Sequence, residues 1–259
     1  MKKKLVKVLI GIVISFIVLL IINSIPTWNL KTKQMSKLEG MWVTMYYEKE
    51  EDTAKDVLSY IDENAETICE KLGFSTKQDV NVYIYDYQKT MQTKKYGMIV
   101  PLLNLDWHIG DNIGTDVILT SPANPGPAHD YDSVKFAVLH EIAHAYTSLL
   151  NPHLHLWLKE GIALYLTNGE PFYASYLDSF TLPSNSDIRT KNPIKFANMG
   201  GYSLAHTYIE YLDVTYGWEK VLELIKTENY SKVLGSSETE IYKKWVEYLK
   251  NYQDTHPID

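Results

Sequence analysis

Cysteine is nearly missing from this sequence, which has only Cys69 among its 259 residues. An intrachain disulfide needs two cysteines and a thiolate zinc site needs several, so both are excluded. Cys69 follows Ile68 in a segment whose apolar residues recur three and four positions apart. We therefore expect a buried, small hydrophobic side chain there rather than a catalytic thiol.

Concentrated positive charge is also scarce. The formal net charge is -7, and no Lys/Arg cluster occurs after the N-terminus. Binding to phosphates needs such a cluster, so nucleic acid is a poor candidate partner and we expect none. With 45% hydrophobic and 22% charged residues, the composition is typical of a folded protein rather than a disordered one.

The N-terminus departs from this ordinary composition. Four lysines precede an uncharged apolar run over residues 8–25. As a helix, about 18 residues span roughly 27 Å, which is close to the thickness of a bilayer core. Basic residues before the run, and none directly after it, predict a cytoplasmic N-terminus. We expect a single-pass protein of the cell membrane whose remaining residues are extracytoplasmic.

A cleaved signal peptide is the alternative interpretation of this segment. It would have a shorter apolar stretch followed by small residues at a cleavage site, and residues 23–28 offer no such site. Cleavage would make the protein secreted. We favour an uncleaved anchor over residues 1–25, followed by a polar tether over 26–40 and one folded domain over 41–259.

The domain has mixed secondary-structure signals. Residues 54–72 have helical apolar spacing, whereas 80–85 and 116–119 have the composition of strands. Five helical segments follow, over 132–150, 156–167, 203–216, 218–227 and 237–251. This order predicts an α+β fold, in which a small mixed sheet packs on a mainly helical bundle.

The first of these later helices carries an unusual set of polar residues. Its sequence over 132–146 is apolar nearly all round, so most of it should be buried. His140, Glu141 and His144 interrupt this apolar surface. Burying such groups without partners costs free energy, and a departure of this kind usually marks a functional site.

The spacing of these residues indicates a zinc site. Positions i and i+4 of a helix lie one above the other, so the imidazoles of His140 and His144 can reach a single ion. Glu141 lies about 100° round the helix from His140. From there its carboxylate can take a proton from an attacking water, which is the general-base role in metallopeptidases.

A catalytic zinc also needs a third protein ligand. A histidine six residues after His144 would supply one pattern, but that position is Leu150. Glu160 is the only carboxylate in the next apolar helix, which the preceding turn would fold back on the first, and we predict it as the third ligand. His153 and His155 have suitable chemistry, but they lie in the turn, where the chain need not face the ion.

The sequence HEIAH at 140–144, followed by WLKEGIALY at 157–165, resembles the peptidase MA-like group of gluzincins. These are zinc metallopeptidases related to aminopeptidase N and thermolysin. The resemblance implies a zincin-type fold, a Zn2+ cofactor held by His140, His144 and Glu160, and a peptide or protein substrate. Residues 41–259 would then form a gluzincin-like metallopeptidase domain.

The resemblance continues over residues 201–217, where the family places a tyrosine at the start of a helix. By position, Tyr202 would donate a hydrogen bond to the oxyanion that forms during the reaction. Packing on a neighbouring helix is the simpler interpretation of this tyrosine. His206 could assist it, although we expect a structural histidine.

One departure from the family concerns the choice of substrate. Related aminopeptidases hold a free N-terminus with a Gly-x-Met-x-Asn segment, which is not found here; residues 97–100 do not supply it. This disfavours an aminopeptidase and favours an endopeptidase. By analogy with the family, residues 116–119 would form the edge strand along which an extended peptide binds.

The predicted function is zinc-dependent hydrolysis of peptide bonds. The alternative is a catalytically silent zinc-binding domain that acts as a cell-surface binding or signalling module. The presence of Glu141 favours the enzyme, because a structural site needs no general base. An intramembrane protease is excluded, since the motif helix carries Lys135 and the chain has one apolar span.

Overall fold

A five-stranded sheet and a set of helices make up the protein, whose computed structural model describes residues 2–167 and 182–252. The chain divides into two compact units. Unit 1 comprises Met1–Asp62 and Asn81–Val138, and unit 2 comprises Glu63–Val80 and Leu139–Asp259. The α+β class is confirmed.

Unit 1 contains the sheet, whose strands in chain order are β1 (Ser36–Glu39), β2 (Thr44–Tyr47), β3 (Asn81–Tyr85), β4 (Gly110–Ile113) and β5 (Asp116–Thr120). Their order across the sheet is β1-β2-β3-β5-β4. The three central strands are parallel, and the outer strands β1 and β4 pair antiparallel with their neighbours.

The strand order corrects one prediction. Residues 116–119 do form a strand, but β5 pairs with β3 on one side and β4 on the other. Both of its hydrogen-bonding edges are therefore occupied, so β5 cannot accept an extended peptide as an added strand. β4 holds the edge position that the sequence assigned to β5.

Helices connect the parallel strands of unit 1, as parallel pairing requires. α2 (Glu51–Lys71) joins β2 to β3, and α3 (Gln88–Tyr96) follows β3. The side chains of Val82 and Ile84 are buried, which explains why a short run of β-branched residues forms a strand at the centre of the sheet. Helix α2 confirms the helix predicted near 54–72.

The N-terminal segment of unit 1 is helical. α1 (Lys2–Ser24) is followed by a first 3-10 helix (Ile25–Trp28), and a second 3-10 helix (Gly97–Leu102) follows α3. The span Lys4–Trp28 is long and apolar enough to cross a membrane. A signal sequence meets the same criterion, so length and composition define a candidate span without defining its topology.

Unit 2 is helical. α4 (Tyr131–Leu150) starts in unit 1 and contributes its residues from Leu139 onward. The helices that follow are α5 (Leu156–Leu166), α6 (Pro193–Asn198), α7 (Gly201–Tyr216), α8 (Trp218–Thr227), α9 (Tyr230–Leu234) and α10 (Glu238–Lys250). The five predicted helices are confirmed as α4, α5, α7, α8 and α10.

Large aromatic side chains form the core of unit 2. Trp157 of α5 packs edge-on against Phe196, Tyr208 and Trp245, with ring centroids 5.7 to 6.4 Å apart. The buried indole N–H of Trp245 donates to the hydroxyl oxygen of Thr207 at 3.1 Å. This core joins α5, α6, α7 and α10, and so fixes the two helices that carry Glu160 and Tyr202.

Cys69 is fully buried in unit 2, as predicted. Burial raises the pKa of its thiol to about 12, although a hydrogen bond with Tyr146 acts in the opposite direction. A thiol with such a pKa carries almost no thiolate at neutral pH, so Cys69 is a packing residue.

Candidate metal centre

Two imidazoles project from the same face of α4. His140 and His144 are one helical turn apart, and their ring centroids lie 4.5 Å from each other with the ring planes at 85°. His144 is buried, whereas His140 retains some exposure. The helix therefore presents two nitrogen atoms toward one point, as the i,i+4 spacing predicts.

Glu160 of α5 completes this group. Its Oε2 atom lies 3.4 Å from Nε2 of His140 and 3.4 Å from Nε2 of His144. All three ligand atoms lie within 4.8 Å of one another. The structure thus brings together the three residues predicted as metal ligands from two separate helices.

The spacing of these atoms suits a zinc ion. Zinc binds imidazole nitrogen and carboxylate oxygen at about 2.0–2.2 Å, so two ligand atoms at a tetrahedral angle lie about 3.3–3.5 Å apart. A charge-assisted hydrogen bond would be shorter, at about 2.7–2.9 Å. The two separations of 3.4 Å fall in the range for zinc ligands, and the donor set is one that zinc prefers.

The charges of two of these side chains, His144 and Glu160, are also suitable. Burial lowers the pKa of His144 to about 4, so its imidazole is neutral at physiological pH. Burial acts to raise the pKa of Glu160, but the neighbouring His144 and His140 outweigh it, and the pKa is lowered. Neutral imidazole and ionised carboxylate are the forms that bind a metal ion.

His140 differs from His144 in its electrostatic surroundings. Burial acts to lower its pKa, but the adjacent Glu160 carboxylate and the charge of Glu141 outweigh this effect and raise the pKa. Two carboxylates therefore act on one imidazole. This negative environment favours a cation at the group of three ligands.

A glycine beside Glu160 has a role that the sequence analysis did not assign. A Cβ atom on Gly161 would lie 2.4 Å from the backbone oxygen of Ala205 and 2.9 Å from Cγ1 of Ile209. The absence of a side chain allows α5 and α7 to approach closely at this point. A glycine inside an otherwise apolar helix was the available signal.

Tyr202 lies in the first turn of α7 and is 37% exposed. Its ring packs edge-on against Phe196 with centroids 5.0 Å apart. Ala205, three residues later, is the point where α7 meets Gly161 of α5. Three residues correspond to about 4.5 Å along a helix. Tyr202 therefore lies about one turn from the contact between Ala205 and Gly161, the residue that follows Glu160.

Three other histidines of unit 2 were weighed for this site, His153 and His155 as alternative ligands and His206 as an aid to Tyr202. Nδ1 of His155 is 2.9 Å from Oε2 of Glu228, and this pair lowers the pKa of Glu228. His153 is exposed at the turn after α4, and His206 faces Tyr165. Within residues 2–167 and 182–252, none of these three joins the group that could hold a metal ion.

Comparison with known proteins finds a distant structural similarity and no match to a protein family or a curated protein. The fold is similar to that of yeast LTA4 hydrolase in complex with bestatin, with a TM-score of 0.44 and 16% sequence identity. The similarity covers 87% of this chain and 38% of that chain, so this chain spans well under half the length of its neighbour.

Proposed function

We propose that this protein is a zinc-dependent peptidase whose metal ligands are His140, His144 and Glu160. The observation that carries the proposal is the 3.4 Å separation between Oε2 of Glu160 and Nε2 of each histidine. The three metal ligands are accompanied by Glu141, which is next to His140 in the sequence. Its carboxylate is not required for binding the metal. That combination favours a catalytic site over a purely structural one.

Each chain residue has a separate task in the proposed reaction. A bound zinc ion would polarise the scissile carbonyl and lower the pKa of a water molecule. The Glu141 carboxylate takes a proton from the attacking water and passes it to the leaving amine nitrogen. The Tyr202 hydroxyl donates a hydrogen bond to the carbonyl oxygen as negative charge develops there.

We further propose an endopeptidase that acts outside the cell and is held to the membrane by α1. The missing Gly-x-Met-x-Asn segment supports cleavage within chains, because the chain lacks that means of binding a free N-terminus. The lysines before the apolar run, together with the 25-residue candidate span, support an anchored protein with an extracytoplasmic domain.

A peptide library tests this proposal directly. The purified full chain, loaded with zinc, should cleave internal bonds, and a chelator should abolish the activity. Glu141→Gln should retain zinc and lose activity by orders of magnitude, about 10²–10⁴-fold, because general-base catalysis is removed. Glu247→Gln is the matched control, since Glu247 is an exposed partner of Lys250 in α10.

The outcomes separate the enzyme from the silent zinc-binding module. Stoichiometric zinc with no cleavage of any library peptide would favour a binding or signalling domain. Equal activity in Glu141→Gln and the unmodified chain would refute the proposed mechanism. Cleavage confined to N-terminal residues would contradict the endopeptidase assignment.

A further inference from the structure

The end of α1 is joined to unit 1 by an asparagine side chain. Nδ2 of Asn23 donates a hydrogen bond to the backbone oxygen of Tyr96 at 3.2 Å. Oδ1 of Asn23 accepts one from the backbone N–H of Ile99 at 2.8 Å. The Asn23 side chain therefore joins the last turn of α1 both to the end of α3, at Tyr96, and to the second 3-10 helix, at Ile99.

A glycine makes this contact possible. Gly97 has φ of 80°, and a Cβ atom there would lie 2.1 Å from the backbone oxygen of Asn23. A residue with a side chain would meet both the strain of the left-handed backbone and a direct overlap with α1. The close approach of the two segments therefore depends on Gly97.

The chain immediately after α1 is also held in place. The Tyr85 hydroxyl donates to the backbone oxygen of Leu30 at 2.7 Å, and Nζ of Lys94 donates to that of Asn29 at 2.6 Å. Leu30 packs on the buried cluster that includes Tyr85 and Met91. These contacts define a fixed joint between α1 and unit 1.

Five exposed apolar side chains follow this joint within residues 98–107, and we call them the apolar platform. It consists of Met98, Ile99, Leu102, Leu103 and Trp107. Leu102 is 84% exposed and Trp107 is 61% exposed. Several large apolar side chains exposed together usually mark a surface that binds a protein or a membrane.

We propose that the apolar platform inserts into the bilayer that α1 spans, at the boundary between lipid headgroups and acyl chains. This inference rests on the proposed membrane span. We name the bilayer as the partner because the platform is joined directly to the span. The backbone N–H of Ile99, a platform residue, donates a hydrogen bond to Asn23 in the last turn of α1.

The length of the candidate span gives the depth of the joint. Its 25 residues extend about 37 Å as a helix, whereas the hydrocarbon core is about 30 Å thick. The end of α1 near Asn23 therefore lies at the boundary region. Trp28, at the end of the candidate span, and Trp107 are both exposed and have the side chain most typical of this depth.

Two membrane contacts would fix the orientation of unit 1. A single helix followed by a flexible tether allows a domain to rotate freely above the bilayer. A span and a platform joined by fixed hydrogen bonds instead define one tilt. The platform thus acts as a positioning surface for a membrane-bound enzyme.

Site-directed spin labelling of the full chain tests the platform. Leu102→Cys would carry the label, and Met41→Cys is the control because Met41 is apolar and 63% exposed. Met41 precedes β2 at the end of the sheet where β3 starts. The platform residue Trp107 precedes β4 at the opposite end, where the parallel strand β5 ends. Cys69 is buried and should remain unlabelled.

In vesicles of phosphatidylethanolamine and phosphatidylglycerol, the label at position 102 should collide more with oxygen than with a water-soluble nickel complex. The label at position 41 should show the reverse. Gly97→Ala should reduce the oxygen preference at position 102. Gly114→Ala should not, because Gly114 has a similar φ of 64° but no atom within 4 Å of its added Cβ.

Three results would overturn the inference, and they are distinguishable. A water-exposed label at 102 in protein that floats with vesicles after a salt wash refutes the platform alone. Failure to float refutes the membrane span as well, while zinc binding and cleavage of peptides remain separately measurable. If spin–spin broadening of the label at position 102 increases with the number of protein molecules per vesicle, the platform instead binds a second copy of the chain.

Discussion

Gly161 of α5 lies in close contact with Ala205 of α7, since a Cβ on Gly161 would lie 2.4 Å from the Ala205 backbone oxygen. The neighbouring residue on α5 is Glu160, whose carboxylate meets both histidines. The separation of α5 from α7 therefore helps to set the position of the third metal ligand. Gly161 is a positioning residue in this arrangement.

We expect Gly161→Ala to weaken zinc binding. The methyl group would push α5 away from α7 and shift Glu160, and such overpacking costs about 1–3 kcal/mol of unfolding free energy. Competition with a chromophoric chelator should show at least a tenfold weaker zinc affinity. Gly11→Ala in α1 is the control, since no atom lies within 4 Å of its added Cβ; equal affinities would contradict the role of Gly161.

We expect His144→Ala to abolish zinc stoichiometry. The substitution removes one of three ligand atoms and leaves the Glu160 carboxylate buried beside a single imidazole. Elemental analysis of the purified full chain should give about one zinc per unmodified chain and almost none in the variant. His155→Ala makes the same change at a histidine paired with Glu228, and it should retain the metal. Unchanged zinc content in His144→Ala would refute the site.

The grouping of the three ligands could be predicted because it depends on local spacing. His140 and His144 are one turn apart in any regular helix, and Glu160 is the only carboxylate in the next apolar helix. These features need no knowledge of tertiary structure. The close contact at Gly161 does need it, because Ala205 is more than forty residues away in the sequence.

The sheet was predicted less well, for a related physical reason. β3 and β5 have the apolar composition of buried strands, so both were recognised. β4 contains Gly110, Asp111 and Asn112, and it forms because it pairs with β5 rather than through its own propensity. Without β4 the sequence could not show that β5 has two neighbours, and so β5 was wrongly placed at the edge.

The joint between α1 and unit 1 also lies beyond sequence reasoning. Residues 26–40 are polar and were interpreted as a tether. Their contacts with Tyr85 and Lys94 join positions more than fifty residues apart. No local pattern marks such pairs, although Gly97 is recognisable afterwards as the residue that permits the approach.

We expect Tyr202→Phe to lower kcat while changing KM little. The substitution removes one hydroxyl proposed to stabilise the developing oxyanion, and loss of one such donor costs about 10²–10³-fold in kcat. The ring should keep its edge-on contact with Phe196, so stability should be nearly unchanged. Tyr216→Phe removes a hydroxyl from the last turn of the same helix and is the control. If both variants retain full activity, Tyr202 is a packing residue.

Removal of the metal should lower the stability of the folded protein, because His140, His144 and Glu160 are brought together to bind the ion only in the folded state. A ligand present at about a hundred times its dissociation constant stabilises the folded state by about 2.7 kcal/mol. For a chain of this size, losing that contribution lowers Tm by about 5–10 °C. Calorimetry of the full chain with and without chelator measures the shift. His144→Ala should already melt at the lower temperature and should not respond to the chelator. An equal shift in that variant would show that the chelator acts elsewhere in the protein, and the stabilising ion would then not be at His140, His144 and Glu160.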